Sequence, residues 1–168
     1  MKVRLNAAIS ASLMVAGFAL SASFLRATEQ QNTKKHVCTE TNAQSLATPA
    51  NACGSNGNPC VVDVKRTGGS VSVTPSIQGG KSNPIFSVQA GTTVVWESTQ
   101  KDTGFVIDFG SSSPFDRGAI IGGSDRSVSV VATKPGCYRY SAGACVAGAI
   151  DGMCNSVDVE FVVTPATK

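Results

Sequence analysis

The stretch KPGCYRYSAGAC, Lys134–Cys145, decides how the chain is read. Pro135-Gly136 punctuates it, and Tyr138 and Tyr140 flank Arg139 in period-two alternation. Aromatic residues that alternate with a polar one after a turn signal predict a short strand. The small residues that follow predict a loop, with Cys137 at the start of the strand and Cys145 beyond its end.

The same texture extends in both directions from this stretch. Short β-branched runs recur from Val61: VVDVK (61–65), SVSVT (70–74), IFSVQ (85–89), TTVVWES (92–98), FVIDF (105–109), SVSVVAT (127–133), YRY (138–140) and VDVEFVV (157–163). Several alternate apolar and polar residues, as half-buried strands do. Gly68-Gly69, Gly79-Gly80, Gly91, Gly122-Gly123 and Pro135-Gly136 separate them. Seven or eight short strands without an amphipathic helix predict an all-β, two-sheet sandwich over 61–168.

The N-terminal third differs. Lys2 and Arg4 precede an uncharged run from Ala7 to Leu25. A positive start before an apolar run predicts an export signal within 1–27, with cleavage after Ala19-Leu20-Ser21 or Leu20-Ser21-Ala22. The run also approaches the roughly 20 residues that span a bilayer, so an uncleaved N-terminal anchor is the alternative. Either reading places the rest of the chain in the periplasm or outside the cell. Residues 28–60 are polar, with no helical or strand period. They predict a spacer followed by a loop tied down by cysteines.

Charge excludes some partners. The formal net charge is +3, and Lys2 and Arg4 supply two of these charges. The remaining basic residues are scattered and not interleaved with aromatics, which excludes a nucleic-acid surface. The expected partner is a protein or a small ligand. A membrane partner follows only if the N-terminal segment is retained.

Six cysteines, Cys38, Cys53, Cys60, Cys137, Cys145 and Cys154, fall three and three at the two ends of the chain. An even count in an exported chain predicts disulfides, and six allow fifteen pairings. If all pair, at least one bridge joins the N-terminal segment to the C-terminal half. Cys53 and Cys60 flank a Gly/Asn/Pro turn that lets them approach.

Three segments together resemble the cupredoxin family of secreted Greek-key β-sandwiches. They are VSVTPSIQGGKSNPIFSVQAGTTVVWES (71–98), FVIDF (105–109) and KPGCYRYSAGACVAGAIDGMCNSVDVEFVV (134–163). The resemblance spans about 61–164 and leaves out 28–60. It implies a cupredoxin-like Greek-key β-sandwich of 7–8 strands, here with a disulfide-tied N-terminal extension. In that family a type 1 copper, where present, is held by two His, one Cys and a weak axial Met. The resemblance places the first His near Gly104, where no His stands, and the Cys at Ala142. The loop for the second His contains none, and the chain's single His is His36. The resemblance therefore implies the scaffold without its type 1 copper site and without a bound cofactor.

The remaining candidates are weighed residue by residue. Cys145, Met153 and Cys154 are read as a loop-closing disulfide with a packing methionine; the alternative is a soft sulfur site for copper handling or electron transfer. Cys137 is left to bridge to Cys38, Cys53 or Cys60, or to stay a free thiol. His36, two residues before Cys38, is read as solvated. Asp102, Asp108, Asp116 and Asp151 are dispersed, and Ser111-Ser112-Ser113 is not a nucleophile elbow. No catalytic residue is predicted, and the expected role is a non-catalytic binding or structural module. SSSPFDRGAIIGG (111–123), read as the longest irregular stretch, is the best candidate contact surface, although Phe115, Ile120 and Ile121 are expected to tuck beneath it.

Overall fold

The computed structural model describes residues 37–55, 57–77, 85–146 and 154–167. The predicted export signal or anchor, His36, Asp151 and Met153 lie outside the described residues.

Among the described residues, nine strands and one short helix follow in order: α1 (Ala43–Leu46), β1 (Cys60–Thr67), β2 (Ser70–Pro75), β3 (Ile85–Gln89), β4 (Thr93–Glu97), β5 (Thr103–Asp108), β6 (Ala119–Gly123), β7 (Val128–Val131), β8 (Gly136–Val146) and β9 (Asn155–Thr164). They form a four-stranded sheet, β2-β1-β4-β7, and a five-stranded sheet, β3-β9-β8-β5-β6. Two pairings are parallel, β1 with β4 and β3 with β9; the others are antiparallel. Sequential β2 and β3 lie in different sheets, so the chain crosses the sandwich between them.

Alternation drives this packing. Cys60, Val62 and Val64 of β1 point inward, as do Phe105 and Ile107 of β5. Gly68 turns the β1–β2 hairpin at φ 59°, a conformation that a side chain would strain. Ala132, Ala142 and Ala144 are fully buried and leave room for aromatic rings between the sheets. Phe109 joins four rings, with centroids 4.8 Å from Tyr140, 5.3 Å from Phe115, 6.3 Å from Phe161 and 6.4 Å from Trp96. Such ring pairs contribute roughly 0.5–1.5 kcal/mol beyond their burial.

The structure corrects two local readings. AIIGG (119–123) is a strand, not part of an irregular loop, and it brings the count to nine. Gly122 is what allows its tight hairpin, because a Cβ there would stand 2.6 Å from the Arg126 carbonyl oxygen. SAGAC (141–145) continues the tyrosine strand, so Cys145 lies on β8 and not in a loop. Its pairing with both β5 and β9 satisfies the backbone of these small residues, which have little strand propensity of their own.

Residues 37–55 of the polar extension lie against the sandwich, within the same compact unit. Burial on β3 shows where. Phe86 and Val88 face the core, yet Ile85 and Ser87 on the opposite face are buried too. Cys38 and Ala43 cover Ile85 and Val162, with Leu46, Ala47 and Cys137 packed around them. Asn51–Cys53 pair along the edge of β3: Ser87 N–H donates to the Asn51 carbonyl at 2.9 Å, and Cys53 N–H donates to the Ser87 carbonyl at 2.8 Å. The extension therefore caps an edge that would otherwise present open hydrogen-bonding groups.

Candidate functional site

All six cysteines are paired: Cys38–Cys137, Cys53–Cys60 and Cys145–Cys154. Three bridges fit an oxidising compartment. Cys53–Cys60 is wholly buried and rigidifies the turn before β1. Cys38–Cys137 joins residues 99 apart in sequence, and closing a loop of that size contributes up to about 4–5 kcal/mol in the chain-entropy model.

Cys145–Cys154 closes the β8–β9 connection one residue beyond the last ladder pair, Ala144 with Asn155. Cys145 also sits directly across from Gly104 on β5. The resemblance assigns the first imidazole near Gly104, so the fold brings that position beside a cysteine. With Cys145 oxidised, neither sulfur of the pair is a thiolate, the form that binds metal. Ala142, the position assigned to the copper cysteine, is buried opposite Ile107. Among the described residues, no three His, Cys, Asp or Glu side chains cluster as a metal site.

The carboxylates are held apart in local roles. Asp108 accepts the Gly110 N–H at 2.8 Å and shapes the turn after β5. Asp116 is paired with its neighbour Arg117, whose hydrogen bond holds the carboxyl below its usual range. Asp102 is exposed, at a φ of 56°. Ser113 Oγ accepts the Phe115 N–H and donates to the Arg117 carbonyl, which makes it a turn residue. Asp63, which sequence reasoning passed over, is held by Lys65 and Thr99. Burial works to raise its pKa, but Lys65 at 2.6 Å and the Thr99 N–H and hydroxyl outweigh it and hold the pKa down.

The 111–123 stretch divides. Phe115 and Ile120 are buried in the core, whereas Ile121 is 66% exposed. Strand alternation separates the two isoleucines: Ile120 faces inward and Ile121 outward. Ile121 lies in register with Val106 of β5, which is 37% exposed, and Val106 pairs in turn with Gly143 of β8. The Val106 Cγ1 stands 3.0 Å from where a Cβ on Gly143 would lie, so the valine reaches across the glycine. The outer face of the five-stranded sheet thus has two halves. The β3–β9 half is covered by the extension. The β5–β6 half presents a flat strip of Ile121 and Val106 among glycines.

Two shallow clefts flank the turn between Cys53 and Cys60. One, of about 490 Å³, is lined by Pro49, Ser55, Asn58 and Ser76. The other, of about 330 Å³, is lined by Asn58, Thr93, Val95 and Ser129. Both are neutral in their lining.

No family model matches the sequence, and no curated protein matches it. Among solved structures, the chain is similar to an oxidized mutant of amicyanin, at 16% identity, covering 69% of this chain and 95% of that one, with a TM-score of 0.36. The fold, an all-β sandwich of two sheets, is read from the strand order, the register and the division of β2 and β3 between the two sheets.

Proposed function

We propose that the chain is an exported, non-catalytic binding module that meets its partner with the β5–β6 half of its second sheet. The observation that carries this reading is the exposed pair Ile121 and Val106, in register on a face whose other half is covered by the chain itself. Contiguous apolar exposure on a rigid sheet marks an interaction surface more often than scattered single residues do. Three disulfides support export to the periplasm or the cell exterior. A retained N-terminal anchor would make the same module membrane-tethered, and an intact Met1 on the recovered chain would establish that.

The test compares the unreduced chain with its Ile121→Lys variant. Each is immobilised and exposed to the exported proteins of its host. A partner retained by the native chain and lost from a variant with an unchanged circular dichroism spectrum supports the reading. Equal retention by both, or by neither, refutes it.

Copper handling or electron transfer through the Cys145, Met153 and Cys154 loop is the second reading, and the observation for it is that Cys145 and Cys154 are brought together. It requires the Cys145–Cys154 bridge to be reduced, because Cu(I) selects thiolate and thioether sulfur.

A further inference from the structure

The bridges differ in how a reductant can reach them and in what they hold. Cys53 and Cys60 are both 0% exposed within the core. Cys145–Cys154 is accessible, but the β8–β9 ladder runs unbroken to Ala144 and Asn155 beside it, so that ladder does not depend on the bridge. Cys38–Cys137 combines access with consequence. Cys38 is fully covered, whereas Cys137 is partly exposed. A crevice of about 230 Å³ lies between Glu40, Ala43 and Gln44 of the extension and Pro135, Gly136 and Val163 of the sandwich, next to Cys137.

The segment behind this bridge is weakly held otherwise. Its helix, α1, is a single turn, too short to persist without tertiary support. The side chain of Asn42 bonds within the segment, to the Thr39 N–H and the Val37 carbonyl. Its apolar contacts with the sheet come from small side chains around Ile85 and Val162. The Glu160 carboxylate adds two hydrogen bonds at Val37 and Cys38. Beyond Leu46 the attachment changes. The buried Asn51 side chain donates to the Leu46 carbonyl, residues 51–53 pair with Ser87, and Cys53 is tied to Cys60.

We propose that Cys38–Cys137 is a reducible latch, holding residues 37–45 as a cover over the outer face of β3, β9 and β8, which a dithiol reductant opens. A thiolate of the dithiol attacks the sulfur of the partly exposed Cys137. The bond to Cys38 breaks, and the Cys38 sulfur leaves with the electron pair and takes a proton. The second thiolate of the dithiol then displaces Cys137 from the mixed disulfide. The dithiol ends as a disulfide, and both cysteines end as thiols. The cover swings away about 46–50, baring Ile85, Val162 and the Cys137 thiol. This device is independent of the β5–β6 surface proposed above, because it acts on the opposite half of the sheet.

The test uses the full chain purified without reductant. It is treated with increasing dithiothreitol, alkylated and mapped by mass spectrometry, with hydrogen exchange followed in parallel. Cys38 and Cys137 become labelled while Cys53 and Cys60 remain bridged. Amides of residues 37–45 exchange at least about tenfold faster, while β8 and β9 stay protected. The paired Cys38→Ala, Cys137→Ala variant shows the same exchange pattern without reductant, and the Cys145→Ala, Cys154→Ala variant does not. The proposal is overturned if Cys53 and Cys60 are labelled first. It is equally overturned if residues 37–45 stay protected with the bridge open, or if protection is lost across the whole sandwich. Should the paired variant fail to fold, the dithiothreitol series on the native chain decides alone.

Discussion

The carboxylate of Glu160, on β9, accepts the backbone N–H groups of Val37 and Cys38, both at 2.8 Å. One side chain on a central strand thereby fixes the entry of the N-terminal segment beside its disulfide. Two charge-assisted bonds to neighbouring amides orient that segment more narrowly than the disulfide alone would.

Replacing this acceptor tests its role. Glu160→Gln keeps the size but weakens both bonds. The expected loss is about 1–2 kcal/mol of stability, with faster exchange at the Val37 and Cys38 amides. Urea unfolding measures the first and hydrogen exchange the second. An unchanged midpoint with unchanged exchange would show that the disulfide alone positions the segment.

Tyr140 presents the opposite situation. Its hydroxyl is buried between the sheets with no hydrogen-bond partner among the described residues, and burial pushes its pKa well above the usual tyrosine value. A buried hydroxyl without a partner carries a desolvation cost. Tyr140→Phe keeps the ring contacts with Phe109 and Trp96 while removing that cost. Stability is expected to hold or rise by up to about 1 kcal/mol. A loss of similar size in thermal unfolding would mean that the hydroxyl is satisfied in solution.

Phe109 bridges four other aromatic rings, so its removal should be felt throughout the core. Phe109→Ala is expected to cost roughly 3–5 kcal/mol. Chemical denaturation gives the value, and a cost below about 1 kcal/mol would show that the cluster collapses around the gap.

Asp63 predicts a pH dependence. Its folded pKa is lowered, so the unfolded chain binds the proton more tightly and the charged form favours folding. The contribution is present above the ordinary carboxylate range and is lost as pH falls through the lowered folded value. Asp63→Asn should therefore lower the melting temperature at neutral pH, with the gap to the native chain closing in acid. Melting curves across that range check the sign. A gap that widens in acid would contradict it.

Copper distinguishes the two functional readings. Added to the unreduced chain, Cu(II) is expected to give no intense visible band of a copper–thiolate centre, because Cys145 and Cys154 are bridged. Stoichiometric Cu(I) capture after reduction, lost in Cys145→Ala, would move the reading toward metal handling.

How much of this was legible in the sequence depends on the range of the interaction. Period-two alternation and Gly or Pro turns are local, so the sandwich from Val61 onward could be read directly from them. Cys53 and Cys60, seven residues apart across a turn, were also within local reach. AIIGG is not legible as a strand from the sequence. Its glycines suggest a loop, and only the facing β5 and the close approach of Arg126 explain them. The opposite fates of Ile120 and Ile121 follow from that same strand.

The sequence by itself determined the fold class, the even complement of cysteines and the single histidine, because each depends on composition or near-neighbour pattern. Only the tertiary structure decided that Cys137 takes Cys38 among its three possible partners, that the extension covers Ile85 and Val162, and that Ile121 stands beside Val106. The physical reason is the same in each case. These are contacts between residues far apart in the chain, made by small or polar segments whose local preferences are weak, and sheet packing supplies what local pattern does not.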